Sequence, residues 1–257
     1  MSAVAGSGKR EAGGGTRTES GLASIAMDAH GGLDQWRKFK SISAHLLQGG
    51  GLWKLKGQED TLKDVHVTVG TRSEWTEHSP FRRANQHTSF TPDRIAIETS
   101  GGDVLQERFN PRESFKGHTL ETPWDDLQLA YFAGYAIWTY LNTPFLFALP
   151  DVETREIDTW EENGEVWHRL KATFPPSIAT HSTEQTFYFD QQGLFRRHDY
   201  NVDISGGTPA AHYVSELKQF SGITVPTKHL IYPRQPDGRP VPTQLVVSID
   251  VSDVTFG

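Results

Sequence analysis

Residues 127–150, LQLAYFAGYAIWTYLNTPFLFALP, contain no charged side chain and carry Tyr131, Phe132, Tyr135, Trp138, Tyr140, Phe145 and Phe147. A block of this kind leaves three options: a membrane span, a helix buried on every side, or one wall of an enclosed apolar space. At about 1.5 Å of rise per residue it is long enough to cross a hydrocarbon core. Several of its residues argue against that use. Gln128, Thr139, Asn142 and Thr143 are polar, and Pro144 breaks a helix. Its flanks are acidic, Asp125 and Asp126 before and Asp151 and Glu153 after, where a span carries Lys or Arg on its cytoplasmic side. The expectation is therefore no transmembrane segment but a buried helical insertion over about 123–149, helical to about residue 141 and broken at 142–144. Thr122 suits the N-cap, Pro123 the first helical position, and Asp125 and Asp126 complement the helix dipole.

The rest of the chain reads as turn-rich β-structure. Before the block, Leu22, Ile25, Ala26, Ala29, Leu33 and Trp36 fall at helical spacing and predict an amphipathic helix over 20–39, in which Gly31-Gly32 allows either one helix or two short ones. Strand patterns follow at 42–47 and 51–56, flanking a glycine triplet as a hairpin, then at 65–75, 89–90, 94–98 and 104–109. Beyond the block they lie at 152–160, 165–174, 184–190, 194–204, 210–220, 228–233 and 244–251. Turn sequences such as Glu162-Asn163-Gly164, Ser205-Gly206-Gly207 and Pro236-Asp237-Gly238 separate them. Connections this short make neighbouring strands antiparallel. No βαβ rhythm and no fixed-period repeat is present. One domain over 20–257 is expected. The Gly-rich, charged residues 1–19 read as a disordered tail without the apolar core of a secretory signal, so the chain as given is expected in the cytoplasm.

Composition removes several functions. A net charge of -7 without a basic stripe argues against nucleic acid, whose phosphates need clustered Lys and Arg. The pairs Arg82-Arg83 and Arg196-Arg197 read as solvated strand ends. With no cysteine, disulfides, thiolate catalysis and cysteine zinc sites are excluded together. Ala29-His30-Gly31-Gly32 lacks the preceding strand and further glycines of a phosphate loop, and no GxSxG elbow occurs. No cofactor is expected.

The strings AHGGLDQW, ETPWDDLQLAYFAGYAIWTYL and TFYFDQQGLFRRHDY resemble a family of bacterial proteins of unassigned function, over most of the chain from about Ala23. The order of elements, with FYFDQQGLFRRHDY followed by HYVSELKQFSGITVPTKHLIYPR, resembles the open-barrel lipoprotein carriers and receptors of the Lol type. That resemblance implies a mainly β (α+β) fold: a highly curved antiparallel sheet or half-barrel, with an N-terminal amphipathic helix and a central helical plug. It also implies an apolar cavity that holds acyl chains under a helical lid. A cytoplasmic relative in violacein biosynthesis uses the same shape to steer a rearrangement without cofactor. The carriers are periplasmic or lipid-anchored, whereas this chain shows neither a signal nor a lipidation cysteine.

Chemistry, if present, points to His181, His198 and His212, which fall in or beside three successive predicted strands. In one reading His198 is a general base or acid with an ordinary pKa near 6.5, oriented by Asp199 or Glu184, with Tyr200 or Tyr213 as proton donor. His212 joins it if the strand register slips by one residue. In a second reading three imidazoles hold zinc, although no HxH or HExxH spacing supports a metal. In a third the histidines make ordinary hydrogen bonds along the sheet. Along the helix, Leu127, Tyr131, Tyr135 and Trp138 form one stripe. With Trp124 and Phe187, which shares the predicted face of His198, the aromatic residues Tyr131, Tyr135 and Trp138 are the candidate ligand wall, solid core being the alternative. The function expected is binding of a hydrophobic small molecule. The alternatives are a cofactor-independent isomerase, cyclase or lyase acting on such a molecule, and a lipid or lipoprotein carrier.

Overall fold

The computed structural model describes residues 21–257, so the tail expected over 1–19 lies outside the described residues. Thirteen strands form one antiparallel sheet, curved and unclosed. The chain enters at its middle. β1 (Ser41–Gly49) pairs with β2 (Asp64–Gly70), and β3 (Thr76–Ser79), β4 (Gln86–Thr91), β5 (Arg94–Thr99) and β6 (Val104–Phe109) follow outward to one edge. The chain then crosses the concave face and restarts at the other edge. From there β7 (Glu153–Glu162), β8 (Glu165–Thr173), β9 (Glu184–Phe189), β10 (Phe195–Val202), β11 (Thr208–Phe220) and β12 (Ile223–Pro233) lead back to β13 (Val247–Phe256), which pairs with β1.

Alternation decides which face is buried. In β1, Ile42, Ala44 and Leu46 point inward and meet Val69, Val67 and Val65 of β2 at matched positions. The crossing element is the uncharged block. It forms helix α4 (Asp126–Asn142), in which every residue from Leu127 to Asn142 is buried. Its start differs from the expected one. Asp125 is the N-cap, its carboxylate accepting from Gln128 N at 2.8 Å while Gln128 Oε1 accepts from Asp125 N at 3.0 Å. Thr122 and Pro123 belong to the preceding loop, because this reciprocal pair satisfies two backbone donors and Thr122 offers one acceptor. At Gly134 a Cβ would lie 2.5 Å from the Phe90 ring, so glycine is what lets α4 sit directly on β4.

The N-terminal segment is two helices, α1 (Gly21–Ala29) and α2 (Leu33–Trp36). At the bend, Gly31 has φ +116°, and a Cβ there would meet Gly222 O at 2.2 Å. The bend is thus pinned against the β11–β12 turn, with Thr224 N donating to His30 O. Leu22, Ala23 and Ala26 of α1 join Phe147, Leu170, Phe187, Phe189 and Phe195 in a second apolar cluster beside the main core.

Two sequence expectations fail locally. Residues 51–56 are no strand; the short helix α3 (Leu52–Leu55) stands there, with Trp53 turned inward and its Nε1 donating to Gly49 O. β3 had no predicted counterpart, since four residues reading Thr-Glu-His-Ser offer no alternation of apolar groups. Among the described residues, no helix is long and apolar enough to cross a membrane.

Candidate functional site

The concave face leaves a cavity of about 190 Å³ between α4 and the sheet. The helix turns Phe132, Ala133, Ala136, Ile137 and Tyr140 toward it, and Ile231, Val247 and Ile249 close the opposite side. Positions 132, 136 and 140 form one helical stripe, with 133 and 137 adjoining. This is not the stripe expected from the sequence. Trp138 faces β2, where its indole N–H donates to Gly70 O at 2.9 Å. Tyr135 packs on Phe132 and His181, and its hydroxyl has no partner. Tyr131 packs edge-on to Phe90 and borders a separate polar depression with Arg112 and Asp203. Phe187 stacks on His198 in the second apolar cluster. Of the five candidate wall residues, Trp124 alone lies in the cavity wall. The helix is packed core on one side and cavity wall on the other.

Two tyrosine hydroxyls separate the cavity from a buried histidine cluster. Tyr140 Oη and Tyr200 Oη lie 2.6 Å apart, and Tyr140 Oη is 3.0 Å from His181 Nε2. Both tyrosines line the cavity, and burial raises their pKa values. Behind them sit His181, His198, His212 and His229, each fully buried. The register puts His198 opposite His212, because Val202 pairs with Thr208. That register also separates the other candidates. Tyr213 lies opposite Arg197 and, with Asp199, projects from the convex face. Grouping Tyr213 or Asp199 with His198 is therefore corrected: strand alternation sends them to the other side of the sheet.

The tautomers follow from the partners. Pro226 O can only accept, so His229 Nε2 donates to it, at 3.3 Å. His229 Nδ1 is then the acceptor, and His212 Nε2 donates to it at 2.8 Å. Gln185 uses its amide nitrogen on Thr180 Oγ1 and Ser182 O, so its oxygen accepts from His198 Nε2 at 2.5 Å. The Nδ1 atoms of His181, His198 and His212 have no partner. Gln185, rather than Asp199 or Glu184, orients His198. Burial drives all four pKa values down, that of His229 to about 4 and those of His181, His198 and His212 well below the ordinary imidazole range. The expectation of an ordinary pKa near 6.5 at His198 thus fails, since no carboxylate compensates for lost solvent. Among the described residues, no three His, Asp or Glu side chains are placed to hold a metal ion.

His78 was missed in the sequence because β3 was missed. It is 1 % exposed, shares its strand face with Thr76, and forms part of the cavity wall. Neither of its ring nitrogens has a partner, and burial lowers its pKa to about 4. Trp124 Nε1 is unpartnered as well. Behind Trp124, the fully buried Lys56 gives its three N–H groups to the carbonyls of Thr119, Leu120 and Thr122, with Nζ 4.5 Å from the indole centroid. Its pKa falls to about 8 through burial.

Comparison with known proteins places this architecture. No protein-family model matches the chain, and no curated protein matches it. Solved structures do. A DUF1329 family protein from Desulfovibrio piger superposes with a TM-score of 0.53 at 11 % identity, covering 91 % of each chain. A putative outer membrane lipoprotein-sorting protein domain from Vibrio parahaemolyticus gives 0.53 at 12 % identity, covering 91 % of this chain and 90 % of its own. The chain has a Lol-like open-barrel fold, and at this identity the likeness is one of fold.

Proposed function

We propose that this protein binds an apolar small molecule in the cavity between α4 and the concave sheet. The observation that carries the reading is the cavity itself: about 190 Å³ of space between α4 and the sheet, walled mainly by aliphatic and aromatic side chains, with Gln48, Ser205, Thr208 and Gln244 also at its boundary. An apolar ligand seated there would gain the dispersion contacts that the unfilled space forfeits. A cavity of about 150 Å³ already admits benzene, so this one suits a fused ring or a short chain. Drug-sized pockets run to roughly 300–1,000 Å³, and the multiple acyl chains of a lipoprotein would require the walls to part. Small-molecule binding is therefore favoured over lipoprotein carriage. Acid–base catalysis is favoured less, because His181, His198, His212 and His229 stand behind the tyrosine pair and burial leaves them, like His78 in the wall, weak bases.

Calorimetric titration with naphthalene tests the reading. Saturable one-site binding is expected for the native chain, and loss of that binding in Ala136→Phe, which fills the cavity, with the melting temperature confirming a folded variant. No saturable binding by the native chain would overturn it.

A further inference from the structure

The polar atoms in the cavity wall narrow the ligand class. Trp124 Nε1 is a donor with no partner, and His78, neutral at pH 7, offers one donor and one acceptor with none. Buried polar atoms are almost always paired, and an orphan marks a missing group. Here three orphan functions belong to two side chains, 4 % and 1 % exposed, that line the same apolar space, the nitrogens themselves being covered. The Tyr140–Tyr200 pair adds hydroxyl oxygens at another part of the wall.

No charge is available to match them. The cavity wall contains no Asp, Glu, Lys or Arg. Lys56, the cation behind Trp124, has three N–H groups and three carbonyl acceptors, so it has no proton left to offer. A carboxylate or ammonium entering this space would lose its water without gaining a counter-charge. A hydroxyl or carbonyl oxygen loses far less and can pair with the indole and imidazole N–H groups.

We infer that the ligand of this cavity is an uncharged molecule with an apolar body and one or two hydrogen-bonding oxygens, alcohol, phenol or ketone in class, held at its polar end by Trp124 and His78. The inference rests on the cavity-binding reading above and deepens it.

A matched series of naphthalene, 2-naphthol and 2-naphthoate, titrated calorimetrically at pH 7.5, separates the two. The expected order is 2-naphthol tightest, exceeding both naphthalene and 2-naphthoate by about tenfold or more, a difference of about 1.4 kcal/mol. In His78→Phe and in Trp124→Phe the advantage of 2-naphthol over naphthalene shrinks to about threefold or less while naphthalene still binds; His78→Gln, which restores a donor and an acceptor, recovers it. Naphthoate binding as tightly as naphthol, or an undiminished naphthol advantage in both Phe variants, overturns the assignment of ligand class and leaves the cavity reading standing. Absence of binding across the series overturns both.

Discussion

Strand β10 carries two buried polar clusters, one on each face, built from alternate residues of the same segment. Outward, Arg197 is fully buried and all five of its N–H groups are engaged: Nε and Nη2 grip Asp199 at 2.7 and 2.8 Å, Nη1 reaches Glu162 and Tyr213 at 2.9 and 2.8 Å, and Nη2 also meets Gly238 O. Tyr188 and Tyr213 return hydroxyl protons to Asp199 and Glu162 at 2.8 and 2.7 Å. Inward, His198 and Tyr200 belong to a cluster without a formal charge, and three imidazole nitrogens there lack partners. The outer cluster is charged and saturated, as a buried ion pair must be if it is not to destabilise the fold. The inner one is neutral and incomplete, with three buried ring nitrogens left unsatisfied.

Acidification separates the clusters most strongly. His78 and His229 take up a proton near pH 6.5 when unfolded and near 4 when folded. The unfolded chain therefore binds more protons between these limits, and stability falls as pH falls from 6.5 toward 4. At pH 5 these two residues alone should cost about 2 kcal/mol each, and His181, His198 and His212 act in the same direction. Asp199 opposes them: burial raises its pKa in the folded state, so protonation there favours folding as pH drops. Urea unfolding at pH 7, 6 and 5 should show a steadily falling midpoint. A flat profile would mean that the inner imidazoles and His78 are already solvated.

Next comes the outer cluster. Arg197→Met should destabilise by about 3–5 kcal/mol, because it strands the Asp199 and Glu162 carboxylates. Adding Asp199→Leu should recover part of the loss in chemical denaturation. If the single variant unfolds at the native midpoint, the outer cluster is not the structural element its saturation implies.

Tyr140→Phe touches only the inner cluster. It removes the hydroxyl shared by His181 and Tyr200, for an expected loss of about 1–3 kcal/mol from groups left unpaired. A thermal shift within error of zero would show that water replaces it. Tyr213→Phe should cost least, about 1 kcal/mol, since Arg197 keeps both carboxylates.

Much of this architecture is legible in the residues. The uncharged block with acidic flanks and Pro144 specified a buried helix, and most strands fall within a few positions of their alternation signals, 104–109 among them. His198 and Tyr200 share a face by simple period-two alternation. What escaped was what depends on pairing between strands. The Arg196-Arg197 pair looked like a solvated strand end, yet Arg197 is buried beneath Trp160, Tyr188 and Tyr213, with its guanidinium carbon 5.3, 4.9 and 5.0 Å from their rings. No local pattern in β10 announces Glu162, which is thirty-five positions away. His78 was hidden because its strand is too short to alternate. On α4, apolar residues surround the axis, so periodicity could not say which stripe would face space and which would face β4.

The sequence by itself determined the elements: an uncharged helix that must be covered, antiparallel strands joined by short turns, and one inward and one outward set of side chains on β10. Those follow from local geometry, hydrophobic periodicity and capping. Only the tertiary structure decided the register that sets His212 against His198 and sends Tyr213 to the other face, the tight contact of Gly134 with Phe90 that fixes how α4 is turned, and hence which side of the helix borders a cavity. Register and helix rotation depend on partners far away in the chain, and a shift of one residue or one stripe exchanges a wall of a binding site for solid core.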